Sequence, residues 1–230
     1  MKKVFIFTSI LVLTVIFSSS CVFHVNGGNG KSVRCKGPVV TRTFDLTGFE
    51  SIVLNGGCDI NLIQQDKFLV SVEANEEVFG HLDYRVSGNS LILEAKDQVN
   101  IIADEYNVTI GLPVLLSLTV NGAGDVDLKN GYSFNEDLKI EVNGAGDLDF
   151  TGIQVPKLSI SVNGAGDIDA NDLAVKELKI SVNGAGDAKV SGKADKASFS
   201  VAGVGGIDAR ELDCADFQTS KSGIASIRTK

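Results

Sequence analysis

Val142-Asn143-Gly144-Ala145-Gly146-Asp147 is one of four identical copies of VNGAGD; the others are Val120–Asp125, Val162–Asp167 and Val182–Asp187. The first glycines fall at Gly122, Gly144, Gly164 and Gly184, in steps of 22, 20 and 20 residues, and worn copies around Gly203 and Gly223 continue the count. A fixed period near 20 marks one structural unit stacked repeatedly on itself. Around each copy, apolar residues alternate with polar ones: Leu138, Ile140, Val142, then the motif, then Leu148 and Phe150, with Lys139 and Glu141 between. That period of two predicts half-buried strands on both sides of a corner.

Two arrangements satisfy this pattern. Asn-Gly between alternating strands is a hairpin signal, which would give an antiparallel meander or barrel. The alternative is a single-stranded parallel β-helix of about 20-residue coils, each corner lying over the last. The second is preferred because one corner is constant while the other, such as Thr151–Lys157 or Asn171–Glu177, varies. Identical corners meet in a stack, and in a meander they would not. In the most C-terminal unit Phe217, Thr219 and Lys221 take the inward positions, a polar row suited to a cap.

The expected structural corner comprises Asn121, Gly122, Gly124, Asn143, Gly144, Gly146, Asn163, Gly164, Gly166, Asn183, Gly184 and Gly186. The glycines allow a tight change of direction, and the asparagines are expected to form a ladder of side-chain amides. Between Arg42 and Pro113, Phe49–Leu54, Asp59–Ile63, Phe68–Ala74, Ser90–Ala95 and Asn107–Leu112 also alternate, with one helical turn expected within Asn75–Leu82. Asn55-Gly56-Gly57-Cys58-Asp59 has the form of a degraded corner, so this half is read as less regular coils of the same solenoid, with a small β domain capping it as the alternative. The boundaries expected are a signal peptide over 1–20, a lipidated flexible tether over 21–37, irregular N-terminal β coils over 38–114, and the regular β-helix with its polar cap over 115–230.

Lys2 and Lys3, the apolar run Val4–Phe17 and Ser18-Ser19-Ser20 before Cys21 have the form of an export signal, with Cys21 the candidate lipidation site. Removing residues 1–20 takes away two lysines and no acid, which moves the net charge from −8 to −10. An acidic surface disfavours nucleic acid and anionic lipid, so membrane attachment would come through the lipid anchor only. The expected location is the outer membrane, at the cell surface or the periplasmic face. Of Cys35, Cys58 and Cys214, the first two are the pair to consider for a disulfide, with buried free thiols the alternative.

Asp125, Asp147, Asp167 and Asp187, with Asp127, Asp149 and Asp169 two residues on, form acid columns. They are similar to the glycine-aspartate repeats that bind calcium, which makes these carboxylates the calcium candidates and calcium the one cofactor considered. The competing reading is turn capping along a solvated ridge. Like charges about 4.8 Å apart in water cost only about 1 kcal/mol per pair, so no metal is required. His24 and His81 are isolated, Arg210 with Glu211 and Asp213 lies in a variable corner, and no Ser/His/Asp set occurs, so no catalytic residue is assigned and no enzyme is expected.

Arg42, Phe44, Phe49 and Ile52, with LNGGCDINLIQQD (Leu54–Asp66), VSVEANEEV (Val70–Val78) and LPVLLSLTVNGAGDV (Leu112–Val126), resemble the auto-transporter adhesin, head GIN domain family of Bacteroidetes. The resemblance covers about residues 40 to 225. It implies a right-handed β-helix, no established catalytic residues and a role in adhesion. The partner expected is a protein or glycan surface, with a homo-oligomer as a further option. A coiled-coil stalk and a membrane barrel are not expected within the sequence. The alternatives are a periplasmic structural or envelope-stress component and a glycan-active β-helix enzyme.

Overall fold

Alternating side chains place the strands, and the computed structural model describes them over residues 31–128 and 131–230. Before the first corner come β1 (Ser32–Arg34) and β2 (Val39–Phe44), then β3 (Ser51–Gly57) and β4 (Asp59–Gln64) on either side of Cys58. Next are β5 (Leu69–Asn75), β6 (Leu82–Ser87), β7 (Ser90–Ala95), β8 (Asn100–Ile102) and β9 (Tyr106–Leu112). The repeat region supplies β10 (Ser117–Ala123), β11 (Val126–Leu128), β12 (Tyr132–Ser133), β13 (Leu138–Ala145), β14 (Leu148–Thr151), β15 (Ile153–Ala165), β16 (Ile168–Asp213) and β17 (Asp216–Arg228). The helical turn expected after Asn75 is a short 3-10 segment, Glu76–Gly80.

The fold is all-β. Apart from β1 and β8, which pair with each other, the strands form one open 15-stranded sheet. In the repeat region every pairing is parallel and in register from one corner to the next. Leu54, Val120, Val142, Val162 and Val182 lie side by side on one wall. Ile60, Val126, Leu148 and Ile168 do so on the other. The strands flanking an Asn-Gly corner do not pair with each other, so the hairpin meander is not formed. These inward side chains are almost wholly buried, as are Leu118, Leu128, Phe150 and Phe199. Each contributes about 1.5–3 kcal/mol by leaving water, and this interior is the core.

The N-terminal half departs from uniform coils. The β3–β4 corner stacks in register on β10 and β11 across 66 residues of sequence, and β7 and β9 extend the two walls in parallel beyond it. Outside them the pairing turns antiparallel: β6 on β7, β5 on β9, and β2 on β5. The cause is local. Only Gly88 and Asn89 separate β6 from β7, and Gly88 takes φ +57, a two-residue link that can join antiparallel neighbours but not parallel ones.

The expected leader and Cys21 lie outside the described residues. The expected tether is corrected at its C-terminal end, where β1 pairs with β8 and Cys35 is buried. The Asn75 amide donates to the Gly37 carbonyl and accepts from the Asp104 and Glu105 amides, locking this stretch onto the body. Val33 and Cys35 supply the apolar alternation that binds it there. Cys35, Cys58 and Cys214 are all free thiols, which settles the pairing question against a disulfide in this structure.

Candidate functional site

The corner is built from groups that repeat at every level. The Asn121 amide donates to Asn55 Oδ1 at 2.9 Å, Asn143 to Asn121 at 3.0 Å, Asn163 to Asn143 at 2.9 Å and Asn183 to Asn163 at 2.9 Å. All donors point the same way, so the bonds polarise one another. The series ends on a charge: Asn55 donates to Glu94 Oε2 at 3.0 Å, and Arg85 binds the other Glu94 oxygen at 2.7 Å. The Asn55 hydrogen bond, followed by that of Arg85, holds the Glu94 carboxyl below the usual range.

The first acid column is a second ladder, running through the backbone. The Asp125 amide N–H donates to Asp59 Oδ1, Asp147 to Asp125, Asp167 to Asp147 and Asp187 to Asp167, at 2.7–3.0 Å. Each carboxylate therefore caps the corner that follows it. Asp127, Asp149 and Asp169 lie in register two residues further along the same wall, and Asp169 accepts from the Asn171 amide at 2.8 Å. Among the described residues no group of three or more His, Cys, Asp or Glu side chains is placed to hold a metal ion.

Between the two ladders the backbones come very close. Gly144 and Gly146 have φ of +151 and +152, and a Cβ built on them would sit 1.9 Å from the Gly122 carbonyl oxygen and 2.1 Å from that of Gly124. Gly122, Gly164 and Gly184 meet the preceding glycine carbonyl in the same way, as Gly166 and Gly186 meet Gly146 and Gly166. Glycine is needed here for contact between levels as much as for the turn.

The two walls differ outside. Beside the asparagine ladder the outer face carries Thr119, Ser159, Ser161, Ser181 and Ser200, with a Lys139–Glu141 ion pair at 3.0 Å. Beside the aspartate ladder the face carries the row Asp127, Asp149 and Asp169. At the variable corner a shallow furrow of about 770 Å³ runs across several levels over Val155, Val175 and Ala194, with Phe134 at one end and Lys176 and Lys193 at its rim.

The remaining candidates stay apart. Among the described residues His81 joins no metal-binding cluster, and His24 lies outside them. Arg210 pairs with Asp208 at an exposed site, and its hydrogen bonds bring that carboxyl down to about 2. The sequence reading missed a part-buried cluster in which Tyr84 and Tyr106 share a 2.6 Å hydrogen bond and Tyr84 also meets the buried Cys58 thiol. Burial pushes all three groups well up, which makes Cys58 an inert thiol. It also missed Glu94 as the ladder's terminus, because no period relates Glu94 to Asn55.

A family model described as "Putative auto-transporter adhesin, head GIN domain" matches residues 48–230. Three crystal structures share the fold. A "putative adhesin" from Bacteroides fragilis NCTC 9343 is 20% identical, with a TM-score of 0.70 over 86% of this chain and 100% of that one. A "putative lipid binding protein" from Parabacteroides distasonis ATCC 8503 is 21% identical, with a TM-score of 0.71 over 87% and 100%. A "putative adhesin" from the same organism is 19% identical, with a TM-score of 0.74 over 86% and 84%. No curated protein matches the sequence.

Proposed function

The chain belongs to the auto-transporter adhesin, head GIN domain family, and on that premise we propose that it is a non-catalytic binding module of the cell envelope. In this reading the stacked levels form a right-handed parallel β-helix, Cys21 carries the lipid that holds it at the outer membrane, and the side walls make the contacts. The observation that carries it is the fate of the corner's polar groups. The Asn amides bond one another and the Asp carboxylates cap the next level, identically at each copy of the motif. Catalysis needs one distinctive constellation, whereas a surface that adheres needs area and repetition.

The hydroxyl and amide wall around Ser161 and Asn163, which also carries the Lys139–Glu141 ion pair and Lys179, is the contact face for a glycan or protein partner. Purified chain is to be tested on arrays of extracellular glycans and matrix proteins. Binding that is lost in Ser161→Arg and in the Lys139→Glu/Glu141→Lys pair, with the melting temperature kept, supports the reading. No binding to any surface, or binding indifferent to both variants, rejects it. Protease shaving of intact cells separates surface display from a periplasmic role, since a periplasmic protein survives.

A second reading, lipid binding, is favoured by the furrow over Val155, Val175 and Ala194 together with the description of the Parabacteroides distasonis structure. Co-flotation with neutral phospholipid vesicles that is abolished by Ala194→Glu would support it, and absence of flotation would remove it.

A further inference from the structure

Strand β17 pairs with Lys196–Asp208 of β16 along one edge, and its other edge carries no strand among the described residues. Both ladders stop short of it. Ala202 and Ser222 stand where earlier levels carry Asn, and Gly206 and Ser226 where they carry Asp. Its inward row is Phe217, Thr219, Lys221, Ala225 and Ile227, in register with Ala197, Phe199, Val201, Gly205 and Ile207. Phe217 and Ile227 pack against the core and are only partly covered, while Ile224 on the outer side is 80% exposed. An unpaired edge of 13 residues is a template for another strand.

We propose that this edge pairs antiparallel with the same edge of a second copy, about a twofold axis through Ser222. Mirroring the sequence about that residue places Asp216 opposite Arg228, Phe217 opposite Ile227, Gln218 opposite Ser226, Thr219 opposite Ala225, Ser220 opposite Ile224 and Lys221 opposite Gly223. Odd-numbered residues face inward and even-numbered ones outward on both copies, so the pleats match. Each pair occurs twice, as an isologous interface requires.

The outward row gains two Asp–Arg pairs, and the inward row covers two sets of Phe217 with Ile227. Gly223, opposite Lys221, leaves the ammonium room to reach solvent at the corner. The strand bends at Gly223, φ +86, and a twofold along the corner's bisector exchanges the two walls, so a bent strand can mate with itself.

Neighbouring registers are worse. Centring on Lys221 sets Lys221 against Lys221. Centring on Gly223 moves Arg228 opposite Gln218 and Ile227 opposite Thr219, losing both complementary pairs. A parallel, head-to-tail contact would leave a further edge open at each addition.

Sedimentation velocity on the purified chain over a concentration series tests this directly, and a concentration-dependent dimer is expected. Ser222→Cys treated with diamide should give a disulfide-linked dimer, because the axis brings that position against itself. Gln218→Cys on the same edge should not, nor should the unmodified chain. Asp216→Arg should weaken the dimer by roughly tenfold or more, and adding Arg228→Asp should restore it. A chain that stays monomeric throughout overturns the proposal. So does a dimer that fails to cross-link through position 222 faster than through 218, or one that the paired charge reversal does not restore.

Discussion

Substituting Gly164 by alanine tests whether the corner depends on contact between levels. The residue has φ +149, and its new Cβ would lie 1.9 Å from the Gly144 carbonyl oxygen. Ordinary carbon–oxygen contact needs about 3.3 Å, so one backbone must move by more than an ångström. Such a shift breaks the Asn163–Asn143 and Asp167–Asp147 hydrogen bonds, which are 2.9 and 2.8 Å long. Each is worth about 1 kcal/mol, and displacing packed Val162 adds to the cost. Gly56 supplies the control. Its φ is +143, yet nothing lies within 4 Å of its Cβ position. Gly56→Ala therefore reports backbone strain alone, about 1–3 kcal/mol.

Gly164→Ala should cost about 3 kcal/mol more than Gly56→Ala. For a domain of this size that difference lowers the melting midpoint by a further 6–12 °C or so. Urea and thermal unfolding followed by circular dichroism would measure both variants. Equal losses in the two would refute the close-approach argument and leave conformational freedom as the only reason for the motif's glycines.

The ladder makes a graded prediction: Asn163→Ala removes two side-chain amide hydrogen bonds and Asn183→Ala one, so the first should destabilise about twice as much, each bond contributing about 1 kcal/mol in a urea titration. The Glu94 carboxyl is held low in the folded state, so its contribution is present above its unfolded pKa and is lost as pH falls through the folded value. An acid titration of stability should accordingly show a component that disappears in Glu94→Gln. Chelation with EDTA should leave the melt unchanged, because Asp125, Asp147 and Asp167 each already cap a backbone amide through Oδ1; a drop would reinstate calcium at the columns. In thiol labelling at pH 8, Cys214 should react first and Cys58 last, since burial opposes its thiolate.

Legibility in the sequence followed the range of the interactions. VNGAGD at a near-constant step announced its own neighbours, because strands of equal period can keep parallel register only by setting like on like. The inward alternation through Leu138, Ile140 and Val142, the strands and the asparagine ladder could all be read from that one fact. Glu94 beneath Asn55, the Tyr84–Tyr106–Cys58 cluster and the antiparallel edge strands could not. They join segments that share no period, and only the folded chain sets their distances.

The acid columns mark the boundary between the two kinds of knowledge. By itself the sequence determined that carboxylates would stand in rows. The tertiary structure decided what one oxygen of each carboxylate in the first row does, because Oδ1 lies 2.7–3.0 Å from the next level's amide and caps that corner. The same holds for glycine: composition determined that the corner could turn, and the stack decided that no side chain could fit between one corner and the next. Local alternation is a property of the chain, whereas close approach is a property of two chain segments brought together in space.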